Sequence, residues 1–172
     1  LPVPVKENAE LISLLDEMAR LDGRDAGSEV VVKEQFLCRE PEERLFYKGR
    51  WYEGLYLGAG ASEDDKRQFA AFQKQIDTWV NWRDARGRRA FVVPLEMCSD
   101  DVQVTSLDKL TFSEWLPQNG FNSERLLWYC AYATRDDYGF KVDQASARVG
   151  LVYFSSRVRK IVVESQAFMT AP

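Results

Sequence analysis

Arg135-Asp136-Asp137-Tyr138-Gly139, followed by Ser146-Ala147 and by Gly150-Leu151-Val152-Tyr153-Phe154-Ser155-Ser156-Arg157, sets the end of an aromatic helix, a charged turn and a second amphipathic helix in quick succession. Ser123 is placed to cap the first helix, along one side of which Leu126, Leu127, Cys130, Ala133 and Thr134 recur. Trp128, Tyr129 and Tyr132 fill much of the remaining circumference. A helix this apolar is expected to pack on two sides and to end at Tyr138-Gly139. The next helix spans roughly 146–159 and carries Val149, Leu151, Val152, Tyr153 and Phe154.

Working outward, Thr111-Phe112-Ser113-Glu114 reads as a capping box with Leu110 and Trp115 as its hydrophobic staple, and Pro117 and Gly120 keep that helix short. Before it come a polar turn at Ser99-Asp100-Asp101 and a single helical turn over 107–110. Ser62, with Asp65 in its first turn, opens a long helix. Its Phe69, Phe72, Ile76, Trp79 and Arg83 follow a three-four spacing, and Gly87 is its expected stop. The aromatic stripe is read as core.

Residues 7–21 read as a helix capped by Asn8, with Leu11, Leu14, Leu15, Met18 and Leu21 on one face and Gly23 ending it. Four short β-prone runs follow: 30–32, 35–38, 44–47 and 51–55. Lys48-Gly49-Arg50 marks a hairpin turn between the last two. No helix-sized crossover separates these runs, so they are expected to pair antiparallel. The predicted class is α+β. A small antiparallel sheet spans about residues 30–57, with 90–95 and 160–164 as candidate additions, packed with four to five helices. One domain covers 1–172, with 160–172 as a tail of no clear pattern. The chain opens Leu1-Pro2-Val3-Pro4-Val5, an extended start read as an internal stretch of a longer protein.

Composition narrows the chemistry. Apolar residues make up 45% and charged residues 29%, the balance of a folded domain. The net charge of −4 argues against a nucleic-acid partner, and Asp77 and Asp84 sit among the clustered Arg83, Arg86, Arg88 and Arg89. Histidine is absent, which removes Ser-His-Asp and Cys-His nucleophiles and imidazole-bound zinc. Cys38, Cys98 and Cys130 are far apart and read as small buried hydrophobes, without metal-ligand spacing. No apolar run approaches the roughly eighteen residues of a membrane span.

Two adjacent carboxylate pairs, Asp100-Asp101 and Asp136-Asp137, could offer acid/base or cation chemistry. Neighbours on a helix point about 100° apart, so neither pair is a ready two-carboxylate site. The structural reading has Asp100 or Asp101 capping a turn, while Asp136 and Asp137 pair with Arg135, Arg148 or Arg157. If such a pair is buried, losing one partner costs about 3–5 kcal/mol. The sequence predicts no catalytic residue and no metal ligand.

Several segments carry a resemblance when taken in order. They are Leu1-Pro2-Val3-Pro4 with its helix, Trp51-Tyr52-Glu53-Gly54-Leu55, and Trp82-Arg83-Asp84-Ala85-Arg86-Gly87-Arg88-Arg89-Ala90-Phe91. Then come Cys98-Ser99-Asp100-Asp101, Trp115-Leu116 with Asn119-Gly120-Phe121, and the stretch from Trp128-Tyr129 to Arg157. Across roughly 1–158 the chain resembles the bacterial FAD-dependent, amine-oxidase-like oxidoreductases, departing from their pattern at Ala131 and Arg148-Val149.

The resemblance implies a cap that covers the flavin and forms the substrate side of the pocket. In that family the flavin sits on a doubly wound domain whose Gly-x-Gly-x-x-Gly turn holds the pyrophosphate. Gly58 and Gly60 lack the third glycine and the preceding strand, so this fragment is expected to bind no FAD itself. FAD belongs to the intact parent, and the missing FAD-binding domain of the same parent chain is the implied partner. A small-molecule substrate would meet Trp128, Tyr132, Arg135, Asp137 and Tyr138, the rings as walls and Arg135 as a charge partner. Asp136, Arg148 and Arg157 are the candidate structural ion pairs. An exposed docking face would also allow a homodimer. Members of that family often carry an export signal, which leaves periplasm and cytoplasm both open. The second reading is a free-standing α+β binding module without catalysis, and the third a metal-dependent hydrolase.

Overall fold

Each main helix begins where a side chain can satisfy the amide hydrogens that a first helical turn leaves unpaired. The computed structural model of the chain describes residues 4–24, 30–37 and 43–156. Its helices are Ala9–Glu17 (α1), Glu63–Asn81 (α2), Val102–Thr105 (α3), Phe112–Gln118 (α4), Glu124–Tyr138 (α5) and Ala147–Ser155 (α6). Its strands are Leu21–Arg24 (β1), Val30–Val32 (β2), Arg44–Tyr47 (β3) and Arg50–Glu53 (β4). The class is α+β. Ser62 and Thr111 cap α2 and α4 in complete capping boxes with Asp65 and Glu114, and Ser123 and Ser146 cap α5 and α6.

The core forms around α6, which packs against α2, α4 and α5. A bridge between Thr111 and Ser146 ties the starts of α4 and α6. Phe112 N donates to Ala145 O at 2.8 Å, and Ala147 N to Leu110 O at 2.9 Å. That pairing brings the Phe112 ring onto Gly150, where an added Cβ would lie 2.3 Å from the ring. Only a residue without a side chain fits there. One turn on, the Phe154 ring meets Phe72 of α2 at 5.1 Å and Tyr129 of α5 at 5.4 Å between centroids. Phe72, Phe112, Leu116, Leu126 and Leu151 are fully buried in this cluster.

The strands differ from the single sheet expected for 30–57. They form two separate antiparallel ribbons, β1 with β2 and β3 with β4. The run 35–38 does not extend the pairing, because Glu34–Phe36 winds into a 3-10 turn. Within β3–β4, Lys48 and Gly49 take φ of 47° and 78°, the doubly positive pair that a tight hairpin needs. Residues 90–95 join neither ribbon. Arg89 instead bridges Arg83, and Ala90, Phe91 and Val92 are buried. Cys38, Arg157 and the candidate strand at 160–164 lie outside the described residues.

Two helices stop earlier than the sequence suggested. The first ends at Glu17 because Ala19 turns left-handed (φ 54°). Its amide then bonds to Asp16 O, and the Arg20 amide to Leu15 O, both at 2.8 Å, closing a Schellman motif without glycine. Leu21 and Gly23 therefore belong to β1. Helix α2 ends at Asn81 and not at Gly87, since Trp82 is already extended and Arg83 enters the bridge.

Replacing Gly150 by alanine is expected to lower stability by about 1–3 kcal/mol or more through overpacking. Combining it with Phe112→Leu should cost less than the sum of the two single changes. Denaturant midpoints of the three variants check this, and additive costs would show that the ring and the glycine do not meet.

Candidate functional site

Helix α5 buries Leu126, Cys130, Ala133 and Thr134 against the core, and the same spacing turns Trp128, Tyr132 and Arg135 outward. Trp128 remains 44% exposed and stacks on Tyr132, with ring centroids 5.7 Å apart and planes 19° from parallel. Arg135 and Asp136 are exposed one turn further on, and Tyr138 is half-buried. Burial first, and then the neighbouring Asp136 carboxylate, hold the Tyr132 phenol above its ordinary pKa. Glu43 adds to this and Arg135 opposes it. Helix α5 packs against α6 and α2, as the sequence suggested, and only its outward side stays open. One side is core and the other is an outward ladder of two rings followed by charges.

The five candidate substrate residues do not share one face. Asp137 lies about 180° round the helix from Trp128, on the side of Ala133 and Thr134, beyond the edge of the core. Of the candidate ion pairs, Arg148 is indeed paired, but with Asp108 and not with Asp136 or Asp137. Its Nη1 is 2.9 Å from Asp108 Oδ2, and Ser146 Oγ donates to the other oxygen at 2.8 Å. The start of α6 is thus held to the helical turn before α4. Arg157 falls outside the described residues.

The arginine-rich loop holds a polar centre that spacing alone did not show. Asp84 is only 5% exposed in its side chain, and both of its oxygens are saturated. One accepts the Arg86 and Arg88 amides at 2.9 and 2.8 Å. The other accepts Arg88 Nε at 2.8 Å and Ser99 Oγ at 2.7 Å. Asp100 accepts from Arg86 and Arg88 outside it, and Asp101 caps α3. Burial alone would raise the Asp84 pKa. The Ser99 hydroxyl, the Arg88 amide and the Arg88 guanidinium outweigh it and hold the carboxyl below its usual value. A carboxylate so occupied neither takes a proton near neutral pH nor has an oxygen left for a ligand. Its signal in the sequence was the acid at Asp84 two and four residues before Arg86 and Arg88, with Gly87 allowing the turn.

A second polar junction joins the starts of α2 and α5. Asp65 closes the Ser62 box and also accepts Ser123 Oγ at 2.6 Å, while Gln68 Oε1 accepts the Asn122 and Ser123 amides at 2.6 and 2.8 Å. The Ser123 and Ser62 hydrogen bonds, with Arg125 nearby, hold the Asp65 carboxyl low against its burial. Arg125 donates to the carbonyls of Leu57 and Gly60. The small-residue segment 58–61 thus leads into a helix start already filled by a carboxylate, with the Gly60 carbonyl, and that of Leu57 just before it, facing a cation. A dinucleotide pyrophosphate does not fit there.

Ser113, Leu116, Pro117, Phe121, Leu127 and Val142 line a dent of about 170 Å³ between α4 and α5. Ligand pockets usually run to about 300–1,000 Å³. Among the described residues no three acidic or cysteine side chains gather as a metal site, and no helix is long and apolar enough to cross a membrane. Comparison of the chain with protein-family models, with curated proteins and with solved structures finds no match.

Because the Asp84 carboxyl is depressed in the folded state, its contribution is complete above the unfolded value of about 3.9 and is lost as pH falls through the lower folded value. Asp84→Asn is therefore expected to lower the melting temperature at pH 7 and to narrow its gap to the wild type by pH 3. Melting curves across that range test it. Parallel curves at all pH values would contradict the assignment.

Proposed function

We propose that this chain is the substrate-side cap of a flavin-dependent, amine-oxidase-like oxidoreductase, contributing one wall of the substrate pocket and none of the flavin's binding site. The observation that carries this reading is the outward ladder of Trp128, Tyr132 and Arg135 on α5, within the stretch where the resemblance to that family is densest. An exposed ring stacked on a half-buried one is a wall awaiting a second side. The two rings offer apolar area to a substrate and exclude water from it. Arg135 beside them supplies a charge to orient a polar end. Elsewhere on the surface Phe46 and Trp51, 60% and 66% exposed, pair at 5.1 Å on the outer face of the β3–β4 ribbon and add apolar area of the kind that a docked domain covers. The flavin and its chemistry belong to the partner domain.

One feature favours the second reading, a free-standing binding module: the cluster from Phe69 to Phe154 is a buried core built from this chain's own residues.

A first measurement tests the cap assignment, and a second separates the two readings. Incubated with FAD and desalted, the chain is expected to retain no flavin absorbance, and stoichiometric retention would overturn the cap assignment. The chain is also expected to bind a hydrophobic dye and to self-associate in sedimentation, with both reduced in the Phe46→Ser/Trp51→Ser variant. A dye-silent monomer would favour the free-standing module.

A further inference from the structure

From Phe46 to Trp51 the chain reads Phe-Tyr-Lys-Gly-Arg-Trp, so every residue other than the turn glycine is aromatic or cationic. These residues are the closed end of the β3–β4 hairpin, and all of them are exposed. Phe46 faces Trp51 across the ribbon, and Tyr47 faces Arg50. Successive pairs point to opposite faces, which sets the Phe46 and Trp51 rings together on one of them. The acids lie at the other end. Glu43 precedes β3, and Glu53 ends β4 opposite Arg44. Leu45 and Tyr52, one step in from that end, are half-buried. The hairpin is thus polarised along its length, seated near its base and cationic and aromatic at its tip. The whole chain carries a net charge of −4, so the cations of the tip oppose the sign of the molecule that bears them.

We propose that the tip of the β3–β4 hairpin docks on an anionic lipid surface, with the Phe46 and Trp51 rings at headgroup level and Lys48 and Arg50 against the acidic headgroups. Amphipathic rings favour that level, where one side of the ring meets acyl chains and its edge meets water. A cation beside an anionic leaflet gains an attraction that fades within a Debye length, so an exposed tip uses it while the acidic body stays back. A single-stranded nucleic acid also takes rings and cations, but it needs ring faces open to successive bases and a track of cations for its phosphates. Here the Phe46 and Trp51 rings close on one another, tilted by 52° with centroids 5.1 Å apart, and Lys48 Nζ stands 5.3 Å over the Tyr47 ring. Anchoring by one such hairpin is weak and reversible. The inference is independent of the flavin reading, which rests on α5, and gives the hairpin rings lipid as their cover in place of a docked domain.

Cosedimentation of the full chain with lipid vesicles tests this. At low salt the chain is expected to bind vesicles of mixed phosphatidylcholine and phosphatidylserine, to be released as salt is raised, and to leave phosphatidylcholine vesicles unbound. Amide exchange should slow on the anionic vesicles over 44–53 and not in the helices around α6. Lys48→Asn/Arg50→Gln, in which asparagine tolerates the left-handed turn position, should weaken binding roughly tenfold or more. Phe46→Ser/Trp51→Ser should weaken it by about as much. No binding to the anionic vesicles, or binding that both variants retain, would overturn the lipid assignment. So would a single-stranded oligonucleotide that binds more tightly and strips the chain from the vesicles. Protection of 44–53 that grows with protein concentration and needs no lipid would assign the tip to a second copy instead.

Discussion

The Phe112 ring occupies the space that any side chain at position 150 would need, and the body of the molecule is arranged around that contact. It lets α4 and α6 approach more closely than two helices bearing side chains at the crossing could. The approach is fixed at its start by the bridge between Thr111 and Ser146 and by Arg148 on Asp108. With α6 held there, Phe154 reaches α2 and α5 together. Which side of α5 faces inward is then settled, and so is the exposure of Trp128, with Tyr132 half-buried beside it. The outward ladder is a consequence of how the core closes.

The charged groups in the interior are stitches between elements. Asp65 joins the starts of α2 and α5, Asp84 closes the arginine-rich loop over Ser99, and Arg89 caps the end of α6. Each of the two carboxylates is surrounded by donors that favour its charged form, which keeps it ionised and chemically quiet. Protonation in acid removes that stabilisation. Under the proposed function, the chemistry offered to a small molecule lies on the surface of α5 and not among the buried charges.

What the sequence revealed was mostly local. Ser62 with Asp65, Thr111 with Glu114, Ser123 and Ser146 each cap a helix three residues away or less, so the residues that decide those boundaries are neighbours. The inward stripes of α2 and α5 were visible for the same reason. The misreadings concern partners distant in sequence or backbone turns lacking their usual residue. Ala19 takes a left-handed conformation usually given to glycine, which hid the end of α1 and the strand after it. Arg148 finds Asp108, forty residues earlier, in place of the acids at the end of α5. Asp84 was read only as an acid among clustered arginines, because its burial depends on Ser99 folding over it. The two ribbons were read as one sheet since strand propensity marks which residues extend, not which strands they join.

The α5 ring ladder and the exposed hairpin rings are two features hung on one body, and that body stands or falls with the seat at Gly150. Nuclear Overhauser contacts between the Gly150 α-protons and the Phe112 ring test it most directly. The fold described here requires strong contacts, with the glycine protons displaced from ordinary shifts by the ring current. Glycine protons at ordinary shifts and without ring contacts would contradict it.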